Sequence, residues 1–408
     1  MYRWMTLLLA AALTACTGSY EPPAPSFLAV ASGDRVDFYL TTRLRPDVRD
    51  DGQSPLIGAW TGLPQVLDLY HRLKQSEQQN NRLWVLHADR LTAYSTDPFF
   101  EDAVPDLSAL DPRPFLFTDG SADNPQPVDC SRGYLRSSPG YLLAVCPPAP
   151  NTGAPYALYL ADFRAVPPGG VPDKLIGPIN VQASRAVFTL TTSNALVILN
   201  GDEGRLELRP DAQMTGTEPG IVRSNTYNQP FFEPRELVYD SAGNRVFGLL
   251  RGSTDALLLT WNLREPSVNV SGPDPNGRRP DQLLASTANV YALSSQQGIF
   301  RVLFASDAFR LLDPAGDVGL NGLSYLEGTL EGDRLLYLAA EDPGAAPDQK
   351  PLIVVLNSQK PLETLLPSDV KINSNRSSNP SALRITPFAS RPVSMAVFPV
   401  QERQPAAR

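Results

Sequence analysis

The chain of 408 residues carries 35 Lys and Arg against 43 Asp and Glu, a formal net charge of −8 at pH 7. No cluster of Lys and Arg interrupts this acidity, which excludes the electrostatic footprint of a nucleic-acid-binding protein. An apolar fraction of 42% is enough for a large core, and 40 Pro with 28 Gly predict many short elements joined by turns rather than long helices.

The first predicted element is a short apolar segment near the N-terminus. Arg3 precedes an apolar run from residue 5 to residue 13, which is too short to span a bilayer as a helix but is typical of a signal-peptide core. The run ends in Leu13-Thr14-Ala15-Cys16, and here the chain resembles a bacterial lipoprotein precursor. The resemblance implies that a peptidase removes residues 1–15 and that the Cys16 sulfur carries a diacylglyceryl group. The alternative is an ordinary secretory signal in which Cys16 is incidental.

Residues 16–26 follow as a predicted flexible tether. Pro22, Pro23 and Pro25 favour extended backbone, which holds the folded part away from the membrane. No second apolar run approaches the length of a spanning helix, so the acyl chains would be the only membrane attachment. We expect the protein on the extracytoplasmic side of the cell envelope. Thr17 stands where some lipoproteins have the Asp that retains them at the inner membrane, which favours the outer membrane where one exists.

From residue 27 to residue 400 the chain repeats one phrase, which is a β-rich run, a polar turn and a second β-rich run. Its spacing of 44 to 59 residues is near the length of a four-stranded propeller blade. Short apolar runs before several copies, at 236–240, 281–286 and 323–326, are interpreted as innermost strands. The predicted fold class is therefore all-β, a single seven-bladed β-propeller. The seven copies cover residues 27–41, 82–95, 141–163, 185–200, 245–263, 289–304 and 334–357.

The two ends of the repeat region are complementary. The first copy lacks a preceding inner strand, and residues 391–397 are an inner strand without a copy after it. Their pairing would complete one blade from both ends and remove exposed sheet edges. Residues 401–408 are predicted to be a disordered tail.

One segment fits the repeat less clearly. Residues 63–73 place apolar side chains at helical spacing. A short helix and an inner strand are equally good interpretations there.

Cys130 and Cys146 flank a predicted hairpin whose turn is Ser-Ser-Pro-Gly at 137–140. Folding this hairpin about residue 138 places the two cysteines opposite each other, at about 5 Å, within disulfide range. In an oxidising compartment this favours a structural disulfide over two separate buried thiols.

The fourth copy is similar to the repeat of lactonase-like propellers. In that group a strand ending in small polar residues meets Ser-Asn, here Ser193-Asn194, and the next strand ends at an acidic or amide residue, here Asn200. Residues 244–262 and 289–302 are looser matches. The resemblance implies a propeller fold and an envelope setting, and it carries no catalytic residue onto this chain.

Few residues suggest catalysis. His71 and His87 are the only histidines and fall in one predicted blade, so a His-based triad or multi-His metal site is hard to build. The acidic loops 47–52 and 313–322 lack the ligand spacing of an EF-hand, so no metal or other cofactor is expected. Asp240, Asp281 and Glu327 lie at or near inner strands where they could face a channel, although bonds to neighbouring backbone are favoured.

Aromatic residues in predicted loops are candidate contact points. Trp60 and the pair at 99–100 belong to this set, but Phe231 and Phe232, in a predicted long loop over residues 211–234, are the favoured partner-binding anchor. Packing of these rings onto their own blade is the alternative.

We expect a non-catalytic role, in which the membrane-anchored propeller binds another envelope protein or an envelope polymer through its loops. The alternative is a hydrolase or lactonase-type enzyme that uses channel carboxylates. Convergence of three or more Asp, Glu, Asn or His side chains at one channel mouth would favour the enzyme.

Overall fold

A computed structural model describes residues 25–46, 53–72, 81–121, 123–164, 171–210, 223–227, 229, 232–265, 267–271, 279–285, 289–295, 298–303, 308–312, 319–332, 334–347, 350–357, 370–374 and 391–400. Within these ranges the chain forms seven sheets of four antiparallel strands. Each sheet packs against the next in chain order, and the last packs against the first, so the sheets are blades of a closed ring. The predicted seven-bladed β-propeller is confirmed.

The strands are numbered in chain order. Blade 1 contains β1 (Ser26–Ser32), β2 (Arg35–Leu40) and β3 (Leu56–Trp60), and blade 2 contains β4 (Asp68–Arg72), β5 (Arg82–Leu86), β6 (Arg90–Ser95) and β7 (Arg113–Leu116). Blade 3 contains β8 (Tyr134–Ser137), β9 (Tyr141–Cys146), β10 (Tyr156–Asp162) and β11 (Ile176–Val181), and blade 4 contains β12 (Ala186–Leu190), β13 (Leu196–Asn200), β14 (Arg205–Arg209) and β15 (Arg223–Thr226). Blade 5 contains β16 (Glu233–Asp240), β17 (Arg245–Arg251), β18 (Ala256–Asn262) and β19 (Val268–Ser271), and blade 6 contains β20 (Gln282–Ala285), β21 (Val290–Ser294), β22 (Gly298–Leu303) and β23 (Ala308–Leu311). Blade 7 contains β24 (Ser324–Glu331), β25 (Leu335–Glu341), β26 (Pro351–Asn357) and β27 (Val370–Ser374), and β28 (Ser394–Pro399) completes blade 1. The helical elements among the described residues are short: α1 (Thr41–Leu44) and the 3-10 turns Leu107–Ala109 and Leu320–Gly322.

The core lies between the blades. The described residues form seven clusters of buried apolar side chains, one between each pair of neighbouring blades. Each blade is covered on both faces, so its middle strands are continuously apolar; β9 reads YLLAVC and all six residues are buried. This two-sided burial explains why the middle strands carry the clearest β pattern in the sequence.

The two chain ends share blade 1, as the complementary ends of the repeat predict. The innermost strand β28 pairs antiparallel with β1, from Ser26 opposite Pro399 to Ala31 opposite Ser394. The Val400 N–H then donates to the carbonyl oxygen of the residue before β1 at 3.0 Å. Opening the ring therefore requires breaking this ladder.

Residues 63–73 contain the inner strand β4 rather than a helix over their described part. Asp68 lies opposite Leu86 and Arg72 opposite Arg82, so β4 pairs with the inner edge of β5. The strand β5 is fully buried. Unpaired backbone N–H and C=O groups on its inner edge would cost more free energy than a helix at residues 63–73 would gain.

The fourth copy of the repeat is displaced by one strand. Its two runs are the first and second strands β12 and β13, whereas the other six copies are second and third strands. The assumed equivalence is wrong because the third strand β14 reads RLELR and carries too few apolar residues to be recognised. With Val197 in place of Val187 as the equivalent position, the adjoining intervals become 54 and 49 residues instead of 44 and 59.

The predicted disulfide between Cys130 and Cys146 is present, with Cα atoms 4.6 Å apart. The hairpin is centred between residues 139 and 140 rather than on 138, since Tyr134 lies opposite Val145. Cys130 therefore lies ahead of β8, in a turn where the Gly133 N–H donates to the Cys130 carbonyl oxygen at 2.7 Å. Glycine is required there because a Cβ atom at residue 133 would lie 2.5 Å from the Cys130 sulfur.

The ring has two faces. Turns between first and second strands, such as 138–140, 191–195 and 241–244, lie at the hairpin face, and so do the loops between third and fourth strands. Connections from one blade to the next, such as 61–67 and 182–185, lie at the opposite crossover face. Because β28 ends and β1 begins at the hairpin face, both chain ends leave the ring there.

Phe398→Ala should lower the free energy of unfolding by about 3–5 kcal/mol, the usual cost of removing a buried phenylalanine. Phe398 is fully buried on β28, and its ring lies 5.9 Å from that of Phe27 and 5.1 Å from that of Phe99. Chemical denaturation measures the change. Val393→Ala, at a 40% exposed residue beside the same strand, is the control and should change stability by less than about 0.5 kcal/mol. Equal effects of the two substitutions would contradict a stabilising role of the β28 closure.

Candidate functional site

The innermost strands line a central cavity of about 720 Å³. It extends from polar side chains on the inner strands to the turns at the hairpin face, where Ser138, Thr192 and Ser241 contribute to its wall. Three carboxylates from three different blades line it: Asp68 on β4, Glu236 on β16 and Glu327 on β24. We refer to these three groups as the cavity carboxylates.

Asp68 connects three blades. Its Oδ1 accepts hydrogen bonds from Ser394 Oγ of blade 1 at 2.5 Å and from the Leu69 N–H at 2.8 Å. Its Oδ2 accepts from the Leu135 N–H of blade 3 at 2.7 Å. All three donors are protein groups, so Asp68 is held in one orientation.

Arg136 and Glu236 form an ion pair across the cavity. Arg136 lies on β8 of blade 3 and Glu236 on β16 of blade 5, so the pair passes over blade 4 between them. The Arg136 guanidinium also donates to the Leu135 carbonyl oxygen at 2.7 Å and lies 4.6 Å from the Tyr134 ring. This is the one cation in the wall that bonds to a cavity carboxylate among the described residues.

Glu327 is the third cavity carboxylate. Its Oε1 accepts hydrogen bonds from the side-chain amide of Gln282 on β20 and from the Gly328 N–H, the latter at 3.1 Å. Its Oε2 has no hydrogen-bond partner within the described part of the chain. No cation lies within ion-pair distance of this carboxylate among the described residues.

The three cavity carboxylates share one local geometry. Each accepts a hydrogen bond from the N–H of the residue that follows it, which is Leu69, Leu237 or Gly328. In β16 and β24 one extra residue, Arg235 or Leu326, directly precedes the glutamate and shifts the strand register. Such a bulge re-aims the side chains that come after it. The same local device is therefore used in two blades to place a glutamate in the cavity wall.

Burial dominates the electrostatics of the cavity. It raises the pKa of Glu327 to about 8, and the charges of Asp68 and Glu236 add to the effect. Burial also raises the pKa of Asp68 and of Glu236, opposed by hydrogen bonds at Asp68 and by Arg136 at Glu236. Burial alone would lower the pKa of Arg136, but Glu236 and its neighbours outweigh burial and raise it. At neutral pH Glu327 is therefore mainly protonated.

Of the carboxylates singled out in the sequence, only Glu327 lines the cavity. Asp240 accepts from the backbone N–H groups of Ala242 and Gly243 at 3.1 Å in a turn. Asp281 pairs with Arg251 at 2.7 Å. The sequence analysis favoured bonds to neighbouring backbone or side chains for all three residues. Asp240 and Asp281 make such bonds.

Sequence reasoning missed Asp68, Arg136 and Glu236. A signal was present, because a polar residue directly before a buried apolar one recurs on inner strands in Asp68-Leu69, Glu236-Leu237 and Gln282-Leu283. The signal is only visible once the inner strands are aligned. The helix-or-strand ambiguity at residues 63–73 prevented that alignment.

Both histidines are packed into the structure. His71 stacks on the Phe398 ring at 5.1 Å, and burial lowers its pKa to about 3. His87 Nδ1 lies 3.1 Å from the Pro64 carbonyl oxygen, and burial lowers its pKa as well. Over the described residues, no group of three or more His, Cys, Asp or Glu side chains has the geometry to hold a metal ion.

The structure describes several of the aromatic residues that were expected to contact a partner, and it buries them to different extents. Trp60 and Phe99 are buried in the core between blades 1 and 2, so their proposed part in a recognition surface is wrong. Phe232 is partly buried against the core between blades 4 and 5, as the alternative interpretation held. Phe231 lies outside the described residues. The prediction of one long loop over residues 211–234 is wrong, because the strand β15 lies within this segment.

Several further predictions concern residues that the structure does not describe. These are Cys16 with the rest of residues 1–24, the acidic loop 47–52, positions 313–318 of the second acidic loop, and residues 401–408. They remain predictions. Within the described ranges, no helix is long and apolar enough to cross a bilayer.

A second cleft of about 690 Å³ lies at the crossover face, next to residue 232. Its wall combines Arg132 and Arg185 with Asp202, Glu203 and Glu233. Arg185 and Asp202 already lie 3.4 Å apart, so charges of both signs are partly neutralised within the wall. The cleft is a mixed-charge surface on the side opposite to the opening of the central cavity.

Comparison with known proteins supports the fold. No protein family model and no curated protein matches the chain. The periplasmic gluconolactonase of Pseudomonas aeruginosa superposes with a TM-score of 0.55 at 13% identity, covering 93% of this chain and 100% of that one. A candidate 6-phosphogluconolactonase of Bacteroides uniformis gives 0.53 at 10%, with 92% and 100% covered. A hypothetical selenium-binding protein of Sulfolobus tokodaii gives 0.52 at 12%, with 87% and 90% covered.

Identities this low show a shared fold and nothing about activity. The lactonase-like propeller predicted from residues 187–200 is confirmed as a fold. Asn194 of that segment adopts φ 64° in the turn between β12 and β13. Its Oδ1 accepts hydrogen bonds from Ser138 Oγ at 2.7 Å and from the Gly140 N–H at 2.8 Å. The Ser-Asn turn therefore joins blade 4 to blade 3.

Glu327→Gln should reduce the loss of stability that the protein shows as pH rises. The pKa of Glu327 in the folded state, about 8, lies above its ordinary value of 4.5, so the folded state retains a proton that the unfolded chain has lost. The resulting stabilisation is fully present below about pH 4.5 and is lost as pH rises through about 8. Urea denaturation from pH 5 to pH 9 measures this, with the exposed Glu101→Gln as control. Parallel profiles for the wild type and Glu327→Gln would contradict the assignment.

Proposed function

We propose that this chain is a lipid-anchored, extracytoplasmic propeller that binds a small polar component of the cell envelope in its central cavity. The observation that carries the proposal is the convergence of Asp68, Glu236 and Glu327, with Arg136, on one cavity. Such groups destabilise a fold unless they are paired, so their concentration at the axis is a cost that ligand binding accounts for.

Unsatisfied polar atoms in the same wall support a ligand site. Arg136 Nε and Gln282 Oε1 are buried and make no hydrogen bond within the described residues. The hydroxyl-bearing residues Thr192, Ser241 and Tyr239 also line the cavity. Donors and acceptors of this kind suit a ligand with several hydroxyl, amide or amine groups.

Two of the three cavity carboxylates already bond to other groups of the protein, which favours binding over catalysis. A general base or nucleophile needs a free lone pair directed at its substrate. Asp68 accepts three protein hydrogen bonds, and Glu236 is paired with Arg136. Both groups are therefore better suited to holding the cavity in shape than to attacking a bound molecule.

One observation favours a hydrolase as the second candidate. Glu327 has a raised pKa of about 8 and an Oε2 without a partner among the described residues, which are the properties of a general acid. In that case water would attack the carbonyl carbon of a lactone, and Arg136 would stabilise the negative charge that develops on the carbonyl oxygen. As the ring C–O bond breaks, Glu327 would give its proton to the leaving oxygen. The convergence of three carboxylates in one cavity is the condition that the sequence-based alternative required.

A panel of small polar probes tests the cavity. Glucono-δ-lactone, gluconate, glucose, ethanolamine and spermidine are added to the purified protein while thermal unfolding and lactone hydrolysis are followed. A probe present at 100 times its Kd should stabilise the wild type by about 2.7 kcal/mol, and Glu327→Gln should reduce this shift. Asp162→Asn, outside the cavity wall, is the control. Turnover of the lactone that is lost in Glu327→Gln would establish the hydrolase instead. If no probe changes the thermal unfolding of the protein, the polar network serves only to link the blades.

Cys16→Ser should move the protein from the membrane fraction to the soluble extracytoplasmic fraction, because acyl chains supply about 0.8 kcal/mol per buried CH₂ and the substitution removes them. Fractionation with immunodetection measures the distribution. A protein in which Cys130 and Cys146 are both replaced by Ser is the control and should stay with the membrane. Retention of Cys16→Ser at the membrane would exclude lipid anchoring through this residue.

A further inference from the structure

The direction in which the N-terminal segment leaves the ring follows from the strand order. β1 is the second strand of blade 1 and starts at the hairpin face, with Ser26 opposite Pro399. The Val400 N–H donates to the Pro25 carbonyl oxygen at 3.0 Å, which holds the start of the tether against the end of β28. The tether that starts at Cys16 therefore joins the ring at the hairpin face.

The central cavity extends toward the same face. Its wall beyond the ends of the inner strands is made by Ser138, Thr192 and Ser241, which all lie in turns between first and second strands. The second cleft, by contrast, is lined by connections at the crossover face. The two recesses are thus on opposite sides of the ring, and only the central cavity is on the side of the tether.

The extended length of the tether is comparable to the thickness of the ring. Nine residue steps separate Cys16 from Pro25, which at 3.1 Å per residue in the extended form favoured by proline span roughly 28 Å. A seven-residue strand such as β1 spans roughly 23 Å before turns are added on either face. To place the crossover face on the membrane, the tether would have to use most of its length to run along the side of a blade. The hairpin face is reached without that cost.

We propose that the hairpin face lies toward the membrane that holds the Cys16 lipid, so that the central cavity opens to the membrane surface and takes its ligand from there. This rests on the lipid anchoring described under the proposed function. The exposed loops of this face carry both signs of charge: Arg164 and Arg264 are basic, and Glu101 and Asp102 are acidic. The tether, rather than attraction to anionic headgroups, therefore sets the orientation.

The same orientation turns the crossover face away from the membrane. That face carries the cleft lined by Arg132, Asp202 and Glu233, and Phe232 directly precedes Glu233 in the chain. A protein partner in the aqueous phase would meet this side of the ring.

Energy transfer to labelled lipids tests the orientation. Ser241→Cys and Ser253→Cys place a single donor fluorophore at exposed positions on the hairpin and crossover faces of the same blade. Cys130 and Cys146 form a disulfide, and the acylated Cys16 does not react, so each variant has one free thiol. The full-length lipidated proteins are incorporated into phosphatidylcholine–phosphatidylethanolamine vesicles that carry rhodamine-labelled phosphatidylethanolamine as acceptor.

The transfer efficiency should be higher for the Ser241→Cys donor than for the Ser253→Cys donor. A Gly-Ser insert of about 20 residues before Pro25, with an r.m.s. span of roughly 25 Å, should remove the difference. Equal or reversed efficiencies in the vesicle-bound protein would overturn the orientation while leaving the anchoring intact. Protein that fails to float with the vesicles would instead overturn the anchoring itself.

Discussion

Pairing of β28 with β1 is the constraint on which the rest of this structure depends. Seven sheets enclose a central cavity only if the ring is closed, and closure relies on a ladder between residues about 370 positions apart in the chain. The same ladder brings both chain ends to the hairpin face. It also supplies Ser394, which donates to Asp68 and so links the closing strand to the polar network at the axis. The closed ring, the cavity and the face at which β1 begins are consequences of one pairing.

The polar network links the blades around the axis. Asp68 links blades 1, 2 and 3, Arg136 with Glu236 links blades 3 and 5, and Gln282 with Glu327 links blades 6 and 7. These contacts hold the inner strands at fixed positions around the axis. Apolar side chains would do so at lower free-energy cost, since burying three carboxylates against one bonded guanidinium is unfavourable. That excess cost is the physical reason behind the proposal that the axis also binds a ligand.

The fold was far more predictable than the site, for a reason visible in particular strands. Middle strands such as β9 are buried on both faces, so their pattern repeats along the sequence and seven copies can be counted. Inner strands are short and carry one polar residue among apolar ones, as in β4, where the pattern also fitted a helix. The partners in the network are distant in sequence: Asp68 and Ser394 are 326 residues apart, and Arg136 and Glu236 are 100 apart. No spacing rule connects such pairs.

The sequence by itself determined the class of fold, the closure from complementary ends and the disulfide between Cys130 and Cys146. These depend on periodic burial and on contacts that are local or at the chain ends. Only the tertiary structure decided which strand of the fourth copy is innermost, and that Asp68, Arg136, Glu236 and Glu327 meet at one cavity. It also decided that this cavity extends to the face at which β1 begins. Convergence at an axis depends on the rotation and register of seven separate sheets, and these arise from packing between blades rather than from any pattern within one.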